Sequence, residues 1–354
     1  MGKRLFFVGL IMFVFGMGCA LKRNIISDNF FKLSVDTYPE SHGVTVFDSV
    51  FVKCNLDGTG TERTHFLAKI FTTYGKKKYG EVKFNYFTNE DTVIIKFARS
   101  ITADGKTVTV PKENITDNPM PAWKGSLFLI PNLRIVTITF TGLDIGGGIE
   151  YETERITHDA SFDSTFDSWY MFEDNEPIET KYLEISLPKN MKPNYKIVNG
   201  QLQHEELDRE DTRVYLWKAE HIPRILEEPA MPPIFDIATK LVITTRSSWE
   251  QGSQWYYNLC EPNLQADSSV KAEVKSITKD AKTFEDTVRT LYEFVNKKIR
   301  YVETDLLGKN GGYEPQTIGF TLQNKYGVCR DKAALLVGML REAGIKNIYL
   351  YGTN

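Results

Sequence analysis

Residues 326–344 constrain this 354-residue chain more than any other part of its sequence. Apolar residues recur there at helical spacing, and glycines precede and follow them, which predicts a helix with defined ends. Cys329 then lies on the first turn, where the helix dipole favours a thiolate and Arg330 and Lys332 add positive charge. A buried structural cysteine at a helix start is the alternative interpretation. The apolar positions are Ala333, Leu336, Val337, Met339 and Leu340.

Residues 315–322, 326–336 and 340–345 together resemble the nucleophile segment of the transglutaminase-like superfamily, whose core is related to that of papain-like cysteine proteases. The resemblance implies that Cys329 is the catalytic nucleophile and attacks an amide or ester carbonyl. The commonest bacterial pattern has Asp directly before this cysteine, and here that position is Val328, as in many other members.

Acyl transfer by a thiol also needs a base, usually His, and a group that orients it, usually Asp or Asn. The resemblance implies that both follow the nucleophile helix, yet no histidine follows His221. We therefore expect an incomplete or inactive form that lacks the catalytic His and Asp, and no hydrolysis of amides by this chain alone. The histidines are His42, His65, His158, His204 and His221.

The mechanism that the resemblance implies begins with attack of the Cys329 thiolate on a carboxamide or peptide carbonyl, while the Cys329 amide helps to hold the oxyanion. The acyl group then passes to water or to an amine, and the sequence does not choose between them. Peptides or proteins are the expected substrates, and no cofactor is expected. Two alternatives stay open: a non-catalytic envelope lipoprotein whose β domain binds peptide, glycan or protein, and an enzyme whose His and Asp come from a second polypeptide.

Residues 1–19 have the pattern of a targeting signal, with two basic residues before an apolar run that ends in small residues. The run is short for a transmembrane helix. Because Cys19 directly follows it, the segment resembles the bacterial lipoprotein signal, and Cys19 is the expected site of lipidation. The body of the protein then lies in the cell envelope, membrane-anchored on the periplasmic or extracellular side. Gly16 stands where that signal usually has Leu, so ordinary secretion or an uncleaved anchor are alternatives.

Charge and cysteine content add weaker constraints. A net charge of -3 argues against a nucleic-acid partner, and the lysine run 76–78 is predicted to be a solvated hairpin tip. Beyond Cys19 and Cys329 the chain has Cys54 and Cys260. A bridge between these two is conceivable in an oxidising envelope, but nothing in the sequence brings them together and we do not expect it.

Residues 25–245 are predicted to form a β-rich domain. Apolar and polar residues alternate in several short runs, and turn pairs such as Asp104-Gly105 and Asn199-Gly200 separate them. Many short strands at this spacing predict an antiparallel β-sandwich-like fold. The alternating runs include Leu183, Ile185, Leu187; Val136, Ile138, Phe140; Val93, Ile95, Phe97; and Val214, Leu216.

The β-rich region carries a resemblance of its own. Residues 98–109, 131–151 and 176–188 look like the bacterial domain of unknown function 3857, which typically precedes a transglutaminase-like core in envelope proteins. The two resemblances therefore support each other. Together they imply an α+β chain, in which the β-sandwich-like domain is followed by a partial papain- or transglutaminase-like α+β core at 246–354.

Aromatic residues cluster between 123 and 172 and alternate with acids. Core or edge packing is the preferred interpretation over a sugar or peptide platform. The spacing of the acids does not match a calcium loop, and no metal site is expected. The aromatic residues are Trp123, Phe128, Phe162, Phe166, Trp169, Tyr170 and Phe172.

Prolines between 223 and 233 mark the end of the β pattern, and 234–245 is predicted to be one more strand. Two helices follow, one capped by Asp267 or Ser268 and one starting at Thr283 with Asp286. The resemblance implies that the segment between the second of these helices and the nucleophile helix lines the substrate cleft. Tyr301 and Tyr313 are therefore substrate-cleft candidates, with packing roles as the alternative.

Overall fold

A computed structural model describes residues 28–120, 132–159, 165–302 and 313–350. The strands are β1 Gly43–Cys54, β2 Gly60–Ile70, β3 Glu81–Phe87, β4 Asp91–Ile101, β5 Thr107–Thr109, β6 Ile115–Pro119, β7 Leu133–Thr139, β8 Gly148–Thr157, β9 Asp167–Met171, β10 Ile178–Pro188, β11 Asn194–Val198, β12 Gln203–Asp208, β13 Thr212–Ile222, β14 Lys240–Thr244, β15 Arg300–Tyr301 and β16 Tyr326–Gly327. The helices are α1 Asp28–Lys32, α2 Thr73–Tyr79, α3 Ile234–Ile237, α4 Trp249–Cys260, α5 Ser268–Ile277, α6 Phe284–Lys298, α7 Ile318–Asn324 and α8 Cys329–Glu342.

The architecture is mixed α+β, as the sequence predicts, with strands up to β14 and mainly helices after it. The largest sheet has the order β12-β13-β10-β1-β2-β8-β4-β5. Two three-stranded sheets, β11-β14-β9 and β3-β7-β6, pack against it. Its strand pairs are antiparallel except that β1 runs parallel to β10. This one parallel pair departs from the predicted antiparallel fold, and the sequence does not indicate it because the two strands are far apart along the chain.

The alternating runs form the interfaces between these sheets. Leu183, Ile185 and Leu187 of β10 are fully buried and pack with Leu241 of β14. The strand predicted around Val214 and Leu216 is confirmed as β13. The side chains that it contributes to this core are Tyr215 and Trp217, because alternation places Leu216 on the opposite face of the sheet. A second core joins β7 to the large sheet through Ile138 and Phe140.

The large sheet contains a buried carboxylate that lies between an arginine and a histidine. Glu150 of β8 is 6% exposed and accepts hydrogen bonds from Arg99 Nε at 2.7 Å and from His65 Nε2 at 2.8 Å. Burial disfavours its charged form, but the two hydrogen bonds outweigh burial and lower the pKa of Glu150 below its usual value. Glu150 is therefore held as a carboxylate between two donors.

Two local predictions differ from the structure. The lysine run 76–78 lies in α2 and not in a hairpin tip, because the Thr72 side chain caps a helical turn by accepting from Gly75 N–H. Of the strand predicted at 234–245, only β14 forms, since the residues directly after Pro233 form the short helix α3.

The aromatic cluster divides between core and surface. Phe172 is 1% exposed in the core between the sheets, whereas Trp169 is 54% exposed and contacts Phe235 edge-on. Trp123, Phe128 and Phe162, also named from the sequence, lie outside the described residues. Core and edge packing therefore account for those that the structure describes.

The helical segment forms its own core around α8. Val270 and Val274 of α5, Leu291 and Val295 of α6 and Ile318 of α7 pack against buried residues of α8. Asp267 caps α5, Thr283 and Asp286 form a capping box at α6, and both confirm the sequence prediction. No helix among the described residues is long and apolar enough to cross a membrane.

Candidate functional site

The start of α8 is fixed by Asp331. The helix begins at Cys329, as predicted, and the Asp331 carboxylate, which is 6% exposed, accepts from Val328 N–H at 3.0 Å. Its other oxygen accepts from Gln316 N–H at 2.9 Å, so one buried side chain both caps α8 and binds the loop before α7. The carboxylate thereby positions the exposed Cys329 thiol at the positive end of the helix dipole.

A short parallel strand pair fixes the chain on the other side of Cys329. Arg300 N–H donates to Lys325 O at 2.8 Å, and Val302 N–H donates to Gly327 O at 3.2 Å, so β15 and β16 join the end of α6 to the start of α8. A Cβ atom at Gly327 would lie 2.7 Å from Asp331 Cβ. Only glycine lets the backbone pass this close to the capping carboxylate.

The two cations next to the thiol have structural partners. Arg330 Nε donates to Glu314 O at 3.1 Å, and Lys332 Nζ donates to Ile299 O at 2.8 Å. Each side chain therefore secures a neighbouring loop or helix end to α8. That they also raise the local positive potential at Cys329 stays a prediction.

The buried face of α8 matches the predicted one in part: Val337, Met339 and Leu340 are buried as expected. Ala334 and Leu335 are fully buried, while Ala333 is exposed. The helix is surrounded by α5, α6 and α7, so burial extends beyond one amphipathic stripe and the sequence pattern alone misplaces its centre. Gly344 ends the helix with a φ of +88°, as its position predicts.

The predicted cleft residues both lie near the start of α8. Tyr301 is 49% exposed and pairs in β15 with Gly327, two positions before Cys329. The Tyr313 ring contacts Trp255 of α4 at a centroid distance of 5.7 Å. Their role in substrate binding stays a prediction.

The sequence did not indicate a functional role for α4, yet this helix lies beside the residues that precede α7. Trp255 of α4 contacts the Tyr313 ring, and Cys260 Sγ donates to Tyr313 O at 4.0 Å, so α4 packs against this segment. The only signal in the sequence is a run of three aromatic residues, 255–257, on a helix whose neighbours are polar.

Cys54 and Cys260 are buried, free thiols, and no disulfide joins them in the part of the chain that the structure covers. Burial, with a smaller effect of Asp57, raises the pKa of Cys54 to about 11. Burial also raises the pKa of Cys260. Both thiols are therefore poor nucleophiles at neutral pH. Cys19, the predicted lipidation site, lies outside the described residues.

The histidines lie in the β domain and contact groups there. His42 is bound to Thr72 Oγ1, His65 to Glu150, His204 to Leu216 O, and His221 lies 3.5 Å from Glu179. The backbone N–H of His158 donates to Glu90 O. Among the residues with described positions, no group of three or more His, Cys, Asp or Glu side chains is arranged to hold a metal ion.

Family comparisons match the chain in two parts. Residues 56–225 match a domain of unknown function with solved structure, DUF3857, and residues 271–354 match the transglutaminase-like superfamily. Both matches agree with the resemblances seen in the sequence. A comparison with curated proteins gave no match.

Among solved structures, the chain is similar to a "putative protease" from Parabacteroides distasonis, with a TM-score of 0.70 and 19% identity. The alignment covers 86% of this chain and 59% of that protein, so the chain spans less than two thirds of its length. At this identity the similarity shows the fold alone. An M1 zinc metallopeptidase from Deinococcus radiodurans, with a TM-score of 0.28, 7% identity and coverage of 58% and 42% of the two chains, is too distant to inform either fold or function.

Proposed function

We propose that this chain, in which a DUF3857 segment precedes a transglutaminase-like segment, uses the Cys329 thiol to accept acyl groups from amide or ester substrates. One observation carries the proposal. Cys329 is exposed at the first residue of α8, and a buried carboxylate, Asp331, holds the helix start in place beside it.

The chemistry follows from that placement. The Cys329 thiolate adds to the carbonyl carbon, a sulfur–carbon bond forms, and the leaving group departs to give a thioester. Transfer of the acyl group to water or to an amine completes a cycle, and this second step calls for a proton donor. Because the described histidines contact groups of the β domain, we propose that this chain alone forms the thioester and turns it over poorly.

An activated ester tests the first step by itself. p-Nitrophenyl acetate releases p-nitrophenolate, which departs without a proton, so the assay needs no histidine. We expect a burst of one p-nitrophenolate per chain and an acetyl group on the peptide that contains Cys329, detected by mass spectrometry. The Cys329→Ser variant is the control and should lose both. An unmodified Cys329 in the folded wild-type chain would refute the proposal.

We further propose that the protein is a lipoprotein of the cell envelope, anchored through Cys19. The sequence pattern of residues 1–19 supports this. The test is incorporation of labelled palmitate in the wild-type chain and in Cys19→Ala, with fractionation of membranes. Label and membrane association that persist in the variant would contradict the proposal.

A further inference from the structure

One stretch of the large sheet has a neighbouring strand on one side only. β4 pairs with β8 from Asp91 to Ile101, whereas β5 pairs with β4 only from Arg99 to Ile101. Val110 N–H then donates to Ala98 O, and in the part of the chain that the structure describes no strand pairs with the other side of residues 91–97. The backbone N–H and C=O groups that point away from β8 along this stretch are therefore open to a further strand.

A groove lies beside this open edge because the chain changes sheets there. After β5 the chain passes through one turn of 3₁₀ helix, Lys112–Asn114, and enters the sheet β3-β7-β6 as β6. The groove between β4 and that sheet has a volume of about 290 Å³. Its apolar side chains are half-buried, apart from one that is buried in β7. The lining residues are Val93, Ile95, Lys112, Ile115, Thr116, Asp117 and Val136.

An extended peptide strand fits both the edge and the groove. Its backbone can pair with the open edge of β4, while every second side chain enters the groove. Val93 and Ile95 are two positions apart and lie on one face of β4, so apolar residues at alternating positions of the peptide can contact both. Regular pairing of β4 extends from Asp91 to Ile95, before its register shifts, and this is an ordinary length for a strand. A lipid or a sugar would leave the backbone groups of β4 unpaired.

The charges of the groove favour an acidic peptide. The Asp117 carboxylate already accepts hydrogen bonds from Arg134 Nε at 2.9 Å and from Tyr86 OH at 2.7 Å. Lys112 is exposed, and it forms no ion pair or hydrogen bond with any residue whose position is described. Glu113, the next residue, does not line the groove. The groove therefore has an uncompensated positive charge at Lys112, which complements a carboxylate on the peptide.

We propose that the open edge of β4 binds an extended acidic segment of a partner protein, which adds to the large sheet as a further strand. Apolar side chains at alternating positions of that segment lie against Val93 and Ile95, and an acidic side chain pairs with Lys112. This binding site does not depend on the acyl chemistry proposed for Cys329.

Hydrogen exchange in the full chain locates the bound strand. The probe is a synthetic peptide with glutamate at both ends and valine alternating with threonine between them, and its affinity is measured by fluorescence anisotropy. We expect the amides of residues 91–97 to exchange more slowly when the peptide is bound. Lys112→Glu should weaken binding by about threefold or more, because an attraction becomes a repulsion. Lys189→Glu, the matched charge reversal between β10 and β11, should leave the affinity unchanged.

N-methylated probes separate strand pairing from other modes of binding. Successive N–H groups of a strand point to opposite sides, so methyl groups on the valines and on the threonines block different edges. The version blocked on the edge that faces β4 should lose binding, and the other should keep it. Equal affinities of the two versions overturn the inference, as do unchanged exchange at residues 91–97 and an absence of binding at ~1 mM peptide. Protection of residues 91–97 that rises with protein concentration without peptide also overturns it, since a second copy of the chain then occupies the edge.

Discussion

Replacing Asp331 by Ala should destabilise the helical segment by several kcal/mol. The carboxylate is 6% exposed and accepts hydrogen bonds from Val328 N–H at 3.0 Å and Gln316 N–H at 2.9 Å. Hydrogen bonds to a charged group contribute about 1.5–3 kcal/mol each, so the loss of two corresponds to about 3–6 kcal/mol. The alanine variant also leaves the two amide donors without this acceptor.

Urea unfolding followed by far-ultraviolet circular dichroism measures this loss, because most of the described helix lies in α4 to α8. With an m-value of about 2 kcal/mol/M, the midpoint of the helical transition should fall by about 1.5–3 M. Asp331→Asn keeps one carbonyl acceptor but no charge, so its midpoint should lie between those of wild type and Asp331→Ala.

A surface control decides whether the capping argument holds. The Asp280 side chain is 89% exposed and lies 3.9 Å from Lys279, so Asp280→Ala should change stability by less than about 0.5 kcal/mol. If Asp331→Ala were as stable as Asp280→Ala, the two bonds would not fix the helix start. Asp331 would then not be the group that positions Cys329.

Three further predictions concern other residues. The lowered pKa of Glu150 means that its contribution to stability is present above the unfolded-state value and is lost as the pH falls through the folded-state value. Glu150→Gln should therefore melt at a lower temperature than wild type at ~pH 6 and show a weaker pH dependence of Tm down to ~pH 2. Gly338→Ala should lower the free energy of unfolding, measured in urea, by about 1–3 kcal/mol, because the new methyl would lie 2.9 Å from Leu264 O. This cost should exceed the gain from the higher helix propensity of Ala. An unchanged urea midpoint would show that α8 and the backbone at Leu264 move apart without cost. Since Cys54 and Cys260 are buried with raised pKa values, iodoacetamide at ~pH 8 should label Cys329 before either, and equal labelling in the folded chain would contradict the burial argument.

Local features were predictable because their causes lie within a few residues of sequence. The caps at Asp267 and Thr283, the helix start at Cys329 and the left-handed Gly344 each follow from side-chain or backbone preferences that act over one turn. The alternating runs 183–187 and 136–140 likewise predicted which faces are buried, since period-two alternation does not depend on the partner strand, whereas Val93, Ile95 and Phe97 of the third run are only half-buried.

Long-range features were not predictable in this way. No local sequence pattern indicates that β1 pairs in parallel with β10, because the partner of each strand depends on how the whole sheet packs. The exposed position of Ala333 follows from how three helices surround α8. For the same reason the sequence did not indicate that α4 packs against Tyr313, because that contact forms only when α4 and the residues before α7 come together in the fold.

The most direct test of the account compares acetylation of Cys329 in the folded chain with that in the same chain unfolded in urea, at one pH and one p-nitrophenyl acetate concentration. In the folded chain the dipole of α8 acts on the Cys329 thiol, and the Cys329 amide is placed to donate to the oxyanion. In the unfolded chain Cys329 is an ordinary thiol. We predict that the folded chain reacts at least about 10-fold faster at the Cys329 peptide. An equal or slower rate in the folded chain would contradict the claim that this site activates Cys329 for acyl chemistry.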